Sequence, residues 1–213
     1  MGITERRERE KLRRRNDILD AAEKVFFEKG YNATKMDDVA EMAELSKGTV
    51  YLYFKSKEEL YFGLTHRALT YLSDRFKSVI KSKKSGLEKV RDIGTAFFRF
   101  SQEQPEYYKT IAQFEMAQLE TNEEGEAISR QCHEQGRTVM ELVAAAVQQG
   151  MADGSIRGGL DPLKTAFLLQ GLSNGVIQLM AREGKHIKEF EMFDPEELRQ
   201  DFMNMMMHAL QPD

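Results

Sequence analysis

The sequence predicts an all-α protein of about nine helices, and two observations support this fold class. Only 4 prolines interrupt the 213 residues. Between the expected breaks, apolar residues recur at three- and four-residue spacing rather than in strict alternation, as they do in amphipathic helices. Hydrophobic residues make up 41 % of the chain, which is enough to bury a substantial core. We therefore expect a folded protein.

The first helix is predicted over residues 6–29. Its apolar residues have the spacing of one helical face, and they are Ile18, Ala22, Val25 and Phe26. Gly30 follows at the position where a left-handed C-terminal cap would end the helix.

The start of this helix is basic although the whole chain is acidic. The net charge of the chain is -4, so basic surface does not cover the protein. Residues 1–16 nevertheless hold seven basic and three acidic side chains, a net charge of +4 that leaves -8 for the remainder. This asymmetry fits an N-terminus that faces nucleic acid, and it fits equally well a solvated helix start.

Three further helices are predicted over residues 36–43, 47–53 and 57–82. Each begins after a residue whose side chain is suited to cap the free N–H groups of a first helical turn. The predicted caps are Thr34 with Asp37 three residues on, Ser46, and Ser56 with Glu59 three residues on.

Five later helices are predicted, and proline marks three of their starts because its fixed φ suits the first helical position. Pro105, Pro162 after Asp161, and Pro195 after Asp194 occupy such positions. A loop is expected over residues 150–159, which contain four glycines. The predicted helical ranges are 87–102, 105–120, 123–149, 162–183 and 195–210.

The two short helices at 36–43 and 47–53 have the size and order of a helix-turn-helix. Their inner residues are expected to pack on the apolar stripe of the first helix, which leaves the outer face free for DNA. The inner residues are Val39, Ala40, Ala43, Val50 and Phe54.

The outer face carries groups that bind DNA in other proteins. Lys47, Gly48 and Thr49 open the second short helix and offer a cation, close backbone approach and a hydroxyl group. Tyr51 and Tyr53 add two aromatic hydroxyls. Lysines follow at positions 55 and 57, and we expect Lys55 and Lys57 to contact phosphates.

The run SKGTVYLYFKSKEEL, within residues 32–60, resembles the DNA-binding domain of the TetR (tetracycline-repressor) family. The resemblance implies a helix-turn-helix DNA-binding domain over residues 1–60 and a helical effector-binding and dimerisation domain over 61–213. It also implies that Lys47, Thr49, Tyr51 and Tyr53 face the operator. Two lysines, Lys35 and Lys57, would lie on its backbone.

Two positions depart from the family pattern. Glu44 stands in the turn where glycine is usual, at a position expected to have φ > 0. A residue with a Cβ there should cost about 1 kcal/mol of local strain. Leu52 replaces a polar or aromatic residue, and it could either read a thymine methyl group or pack inward.

The resemblance further implies a homodimer with a four-helix interface, and the residues agree. The helix at 162–183 is apolar over more of its circumference than one core face needs, and Gly171 and Gly175 permit close approach of another helix. The alternative is that this helix and the last one complete the core of the monomer. The predicted interface residues are Gly171, Leu172, Gly175, Leu179, Phe202 and Met206.

An effector cavity is implied among the helices at 87–102, 105–120, 123–149 and 162–183. Its aromatic and methionine side chains suggest a small apolar or aromatic compound. The alternative is a fully packed core with Asn174 at the dimer seam. The candidate lining residues are Phe97, Phe100, Tyr108, Met140, Phe167 and Asn174.

No pattern for catalysis, metal binding or membrane insertion is found. Cys132 and His133 are adjacent and would diverge on a helix, so they do not form a dyad. The four histidines lack metal-ligand spacing, and we expect no metal and no cofactor. Without an apolar leader or an apolar run of bilayer length, and with one cysteine, the protein is expected in the cytoplasm.

The sequence thus favours a one-component transcriptional regulator that is not an enzyme. We expect it to repress by binding a palindromic, double-stranded operator as a homodimer, and to be released by a small-molecule effector. The alternative is a helical protein-interaction module that a protein partner regulates.

Overall fold

The computed structural model describes residues 2–116, 123–189 and 194–212. Within these ranges the chain forms nine α-helices and no strand, which confirms the predicted fold class. The last four residues of the helix predicted at 105–120 lie outside the described residues. The helices are α1 Ile3–Ala33, α2 Met36–Met42, α3 Lys47–Tyr53, α4 Lys57–Ile80, α5 Gly86–Glu103, α6 Pro105–Met116, α7 Glu123–Asp153, α8 Pro162–Glu189 and α9 Pro195–Leu210.

The chain divides into two compact units. Unit 1 comprises Met1–Leu69 and Glu106–Glu134, and unit 2 comprises Thr70–Pro105 and Gln135–Asp213. Helix α4 begins in unit 1 and ends in unit 2.

The core of unit 1 forms around the predicted stripe of α1. Ile18 and Ala22 are fully buried. They lie in one apolar cluster with Val39 of α2, Val50 of α3 and Phe54, which follows α3. The predicted packing of the three N-terminal helices is therefore confirmed. This packing fixes which faces of α2 and α3 remain outside.

The junction between α1 and α2 differs from the prediction. Helix α1 is interrupted at Gly30 (φ 76°, ψ 167°) but continues to Ala33. The hydroxyl of Thr34 is drawn back to α1 and donates a hydrogen bond to the Gly30 carbonyl over 2.8 Å. Thr34 is thus not the cap of α2. The cap is Lys35, whose backbone N–H donates to the Asp38 carboxylate over 2.8 Å.

The predicted caps of α3, α4 and α9 are confirmed. Ser46 accepts a hydrogen bond from the Thr49 N–H, and Ser56 accepts one from the Glu59 N–H. Asp194 accepts one from the N–H of residue 196. Sequence reasoning missed the Ser85 cap, which starts α5 one residue earlier than predicted.

Helix α7 runs to Asp153 and so takes up the start of the predicted glycine loop. Gly150 lies within the helix, and its lack of a side chain allows other groups to pack closely against it. A Cβ built on Gly86 of α5 would lie 2.0 Å from the Gly150 backbone nitrogen. A Cβ on Gly150 would lie 2.5 Å from the Ile156 side chain. The two glycines let α5 begin directly against α7 in unit 2.

Candidate nucleic-acid interface

The turn between α2 and α3 has the unusual backbone that the sequence predicted. Glu44 has φ 55°, and it is the sole non-glycine with positive φ among the described residues. The Leu45 N–H closes the turn by donating to the Ala40 carbonyl over 2.9 Å. The expectation of φ > 0 at position 44 is confirmed, so the turn keeps its geometry without glycine.

The first turn of α3 is exposed and holds a cation, an open backbone and a hydroxyl. Gly48 has open space beside it, with only the Ser46 hydroxyl within 4 Å of an added Cβ. The Thr49 hydroxyl shares a 2.8 Å hydrogen bond with that same Ser46 hydroxyl. This arrangement leaves the N-terminal end of α3 open to an anion.

The Lys47 ammonium is not free on this surface. It lies 2.7 Å from a carboxylate oxygen of Asp37, and both side chains are exposed. The hydrogen bond to Asp37 raises the pKa of Lys47. A phosphate that binds Lys47 must therefore compete with Asp37, a neighbour that sequence reasoning did not assign to the site.

The aromatic residues of α3 divide between surface and core. Tyr51 is 36 % exposed and Leu52 is 73 % exposed. The open alternative for Leu52 is thereby resolved, because it does not pack inward. Tyr53 is half-buried and packs against the apolar cluster of unit 1. The outward side chains of α3 are thus Lys47, Tyr51 and Leu52.

The lysines that flank α3 occupy different environments. Lys35 and Lys55 are exposed. Lys57 is partly buried, because its ammonium donates to the Tyr31 carbonyl over 2.9 Å and lies 4.4 Å from the centre of the Tyr31 ring. Lys57 therefore joins the start of α4 to the end of α1, whereas Lys35 and Lys55 are available to solvent.

Arg15 of α1 contacts the C-terminal end of α3, a role that was not predicted from the sequence. Its guanidinium lies 4.2 Å from the centre of the Phe54 ring and donates to the Tyr53 carbonyl over 3.3 Å. Burial lowers the pKa of Arg15. The signal was present, since Arg15 precedes Ile18 and Ala22 at the spacing of the apolar stripe.

Two further networks tie α4 and α6 to α1 within unit 1. Arg67 of α4 contacts Asp20 at 2.8 Å and Glu23 at 2.9 Å. The Tyr107 hydroxyl of α6 donates to Glu23 over 2.5 Å. Burial, reinforced by this hydrogen bond, raises the pKa of Tyr107 to about 12. Glu23 of α1 therefore binds side chains of both α4 and α6.

The six candidate effector residues are divided between the two units. Tyr108 belongs to unit 1 and the other five to unit 2. Phe100 and Met140 are buried, and the Phe100 ring lies 5.8 Å from that of Tyr71. Phe97 and Asn174 are half-buried. Phe167 lies on the surface and is 57 % exposed. It is four residues after Leu163 and therefore on the same side of α8.

The proposed dimer residues lie mostly on exposed surface. Gly171 and Gly175 have open space beside them, and Leu172 and Leu179 are 48 % and 36 % exposed. Met206 is half-buried. Phe202 instead packs within unit 2, with its ring 5.9 Å from that of Phe98. Helix α8 therefore exposes large apolar side chains over about half of its circumference, and no described residue covers them. They are Leu163, Phe167, Leu168, Leu172 and Leu179.

The described residues offer little for catalysis. Cys132 is fully buried, its thiol donates to the Phe62 carbonyl, and burial raises its pKa to about 12. The His133 ring lies against Phe114. No group of three His, Cys, Asp or Glu side chains in the described ranges could hold a metal ion. None of the helices described has the length and apolarity that a bilayer crossing needs.

Comparison with known proteins identifies relatives over most of the chain. The family described as bacterial regulatory proteins, tetR family, matches residues 18–64. The HTH-type transcriptional regulator YhgD of Bacillus subtilis (strain 168) is 31 % identical over 157 residues, which are 73 % of this chain and 78 % of the relative. The HTH-type transcriptional repressor KstR2 of Mycolicibacterium smegmatis is 29 % identical over 148 residues, or 70 % of each chain.

A solved structure extends the likeness to the fold of nearly the whole chain. The transcriptional regulator FadR from Bacillus subtilis, in complex with stearoyl-CoA, superposes with a TM-score of 0.69. The superposition covers 92 % of this chain and 98 % of FadR at 20 % sequence identity. This match shows that the two proteins share a fold.

Proposed function

The chain belongs to the TetR family of bacterial regulatory proteins, and we propose that it is a one-component repressor. In this proposal a homodimer binds a palindromic operator through two helix-turn-helix heads, and a small-molecule effector releases it. We assign DNA binding to residues 1–60 and effector binding and dimerisation to residues 61–213. The protein acts in the cytoplasm, where the DNA lies, and has no catalytic role.

The division of α3 into a buried and an exposed face carries the proposal. Val50 is fully buried while Tyr51 and Leu52, the next two residues, are exposed. A short helix anchored on one side and bare on the other is suited to enter the major groove of DNA. Tyr51 and Leu52 can contact base edges and thymine methyl groups there. The exposed Lys35 and Lys55 can contact the flanking phosphates.

The apolar face of α8 supports the dimer. Five large apolar side chains on the exposed half of one helix are an unusual exposure for a monomer. A second copy would cover them, and the open space at Gly171 and Gly175 allows the two α8 helices to approach closely. A two-fold dimer presents two α3 helices, which a palindromic operator with half-sites about 34 Å apart would match.

For the effector we propose an acyl-CoA. The support is the shared fold with FadR, whose structure holds stearoyl-CoA. An acyl chain also satisfies the expectation of a small apolar effector. Buried aromatic and methionine side chains of unit 2, such as Phe98, Phe100 and Met140, are compatible with an apolar ligand nearby. Repression is supported by the likeness to the repressor KstR2.

Selection of bound sites from random 40-base-pair duplexes tests DNA binding. The selected duplex is then titrated by fluorescence anisotropy. We expect Tyr51→Ala to weaken binding about 10-fold, the loss of one good base contact. Tyr71→Ala is the matched control, because Tyr71 is also 36 % exposed but lies outside the site. Failure of the wild-type protein to enrich any duplex would contradict the proposal.

Release by the effector is tested on the same complex. We expect stearoyl-CoA to lower operator affinity about 5- to 150-fold, the usual range for coupled sites. Free CoA is the control, since it lacks the acyl chain. If neither compound changes the affinity while DNA binding is intact, the effector class is wrong and the DNA-binding proposal stands.

A further inference from the structure

A row of three cations at the start of α1 has no role in the helix-turn-helix. Arg7, Lys11 and Arg14 recur at four- and three-residue spacing, so they lie along one face of the helix. Glu10 lies beside this row, three residues after Arg7 and four before Arg14, so this side of the arm holds three cations and one carboxylate. All side chains from residue 4 to residue 14 are exposed. This segment of α1 is therefore a charged helical arm beyond the core of unit 1.

The row faces the side of α1 on which the DNA-reading helix lies. Eleven residues make just over three helical turns, so Arg7 is nearly in register with Ile18 of the buried stripe. That stripe packs in the cluster that also contains Val50 of α3. Arg15, next to the row, contacts the carbonyl of Tyr53 at the end of α3. Arg15 thus connects α1 at the end of the arm to the end of the reading helix.

The charges of the row are not compensated inside the protein. Some other cations of unit 1 are paired, as Lys29 is with Asp38 and Arg67 is with Asp20. For Arg7, Lys11 and Arg14 there is no ion pair with a carboxylate in the described ranges. The first sixteen residues carry a net charge of +4 while the remainder of the chain carries -8.

We propose that Arg7, Lys11 and Arg14 bind the phosphate backbone of the DNA that flanks the operator half-site. The proposal rests on the proposed operator binding and extends its footprint. An anionic membrane fits the arm less well, because a helix that lies on a membrane needs an apolar face. The only apolar residue from 4 to 14 is Leu12.

The length of the arm sets the length of flanking DNA that it can reach. The 12 residues from Ile3 to Arg14 span about 18 Å at 1.5 Å per residue. This distance corresponds to about 5 base pairs of duplex at 3.4 Å each. Contacts of this kind do not depend on base sequence but do depend strongly on salt.

The experiment compares two duplexes that share one selected operator. One ends at the inverted repeat, and the other carries 6 additional base pairs of scrambled sequence on each side. We expect the wild-type dimer to bind the longer duplex about 10-fold more tightly at moderate salt. We expect Arg7→Gln/Lys11→Gln/Arg14→Gln to bind both duplexes equally, with a salt slope lower by up to about 5, since six phosphate contacts are lost per dimer.

The control variant removes the same charge from the other side of the arm. Arg6→Gln/Arg9→Gln/Arg13→Gln should keep most of the preference for the longer duplex. Glutamine is a good helix former, so circular dichroism should show equal helicity in both variants. The residues of α3 are unchanged, and both variants should bind the short duplex.

The outcomes separate this inference from the proposed function. If wild-type protein binds both duplexes equally, or if the two triple variants lose the preference equally, the row has no specific role and the inference is overturned. The inference is supported if Arg7→Gln/Lys11→Gln/Arg14→Gln loses the preference for the longer duplex but binds the short duplex as tightly as wild-type protein does. If wild-type protein binds neither duplex above a scrambled one, the proposed operator binding itself fails.

Discussion

Substitution of Glu44 by glycine should stabilise the protein although it removes a side chain. Glu44 has φ 55°, a conformation that costs a residue with a Cβ about 1–2 kcal/mol and glycine almost nothing. The greater freedom of glycine in the unfolded chain offsets about 0.4–1 kcal/mol of this gain. We expect a net increase of about 0.5–1 kcal/mol in the free energy of unfolding.

Glu41→Gly is the matched control. Glu41 is also an exposed glutamate, three residues earlier, but it lies within α2. Glycine in a helix is less stable than other residues by about 0.5–1 kcal/mol, so this variant should be less stable than the wild type. Removing the same side chain should therefore change stability in opposite directions at the two positions.

Thermal unfolding followed by circular dichroism measures both changes. For a chain of this size, 1 kcal/mol corresponds to about 2–4 °C in Tm. Glu44→Ala keeps the Cβ and should not gain stability. Equal destabilisation by Glu44→Gly and Glu41→Gly would show that the backbone at position 44 carries no strain, and the reasoning would be refuted.

Three further predictions concern the Lys57 contact, the exposed surface of α8 and the Tyr107 hydrogen bond. Lys57→Met should lower the free energy of unfolding by about 1–2 kcal/mol, because it removes an ammonium that makes a hydrogen bond and a ring contact. Lys55→Met should change only the salt dependence of DNA binding. Thermal melts measure the first effect and salt titrations the second. Leu172→Asp should give a monomer in sedimentation at micromolar concentration, while Arg91→Asp at an exposed position of α5 should remain a dimer; two dimers would contradict the α8 interface. Tyr107→Phe should lower the free energy of unfolding by about 1–2 kcal/mol, since it removes a hydrogen bond to a carboxylate. It should also weaken the release of DNA by stearoyl-CoA. An unchanged melting temperature and an unchanged response to stearoyl-CoA would show that the Tyr107–Glu23 hydrogen bond does not couple the two sites.

Features with a local cause were predictable from the sequence. The apolar spacing of α1 identified Ile18 and Ala22 as core, and both are fully buried. Ser46 and Ser56 marked helix starts because their hydroxyls satisfy N–H groups three residues on. Glu44 was expected to have φ > 0, and it does. Each of these inferences needs only the geometry of one helix or turn.

Features decided by tertiary contacts were not predictable. Tyr51 and Tyr53 were given the same role, and the packing that half-buries Tyr53 against the core of unit 1 was not foreseen. Lys57 was expected to contact phosphate, and its position over the Tyr31 ring was not foreseen. The end of α7 was placed at residue 149 because glycine usually ends helices, and its contact with α5 could not be foreseen. The spacing of apolar residues in a sequence indicates which face of a helix is buried, but not which residue of another element contacts a given side chain.

The contact between Gly86 and Gly150 has a consequence for how the gene can vary. A side chain at position 86 would need the space that the backbone of Ala146 and Gly150 occupies, and a side chain at position 150 would meet that of Ile156. A saturation library selected for function should therefore keep glycine at position 86, because backbone cannot move aside as a side chain can. Gly136, where an added Cβ meets no described atom within 4 Å, should accept alanine freely.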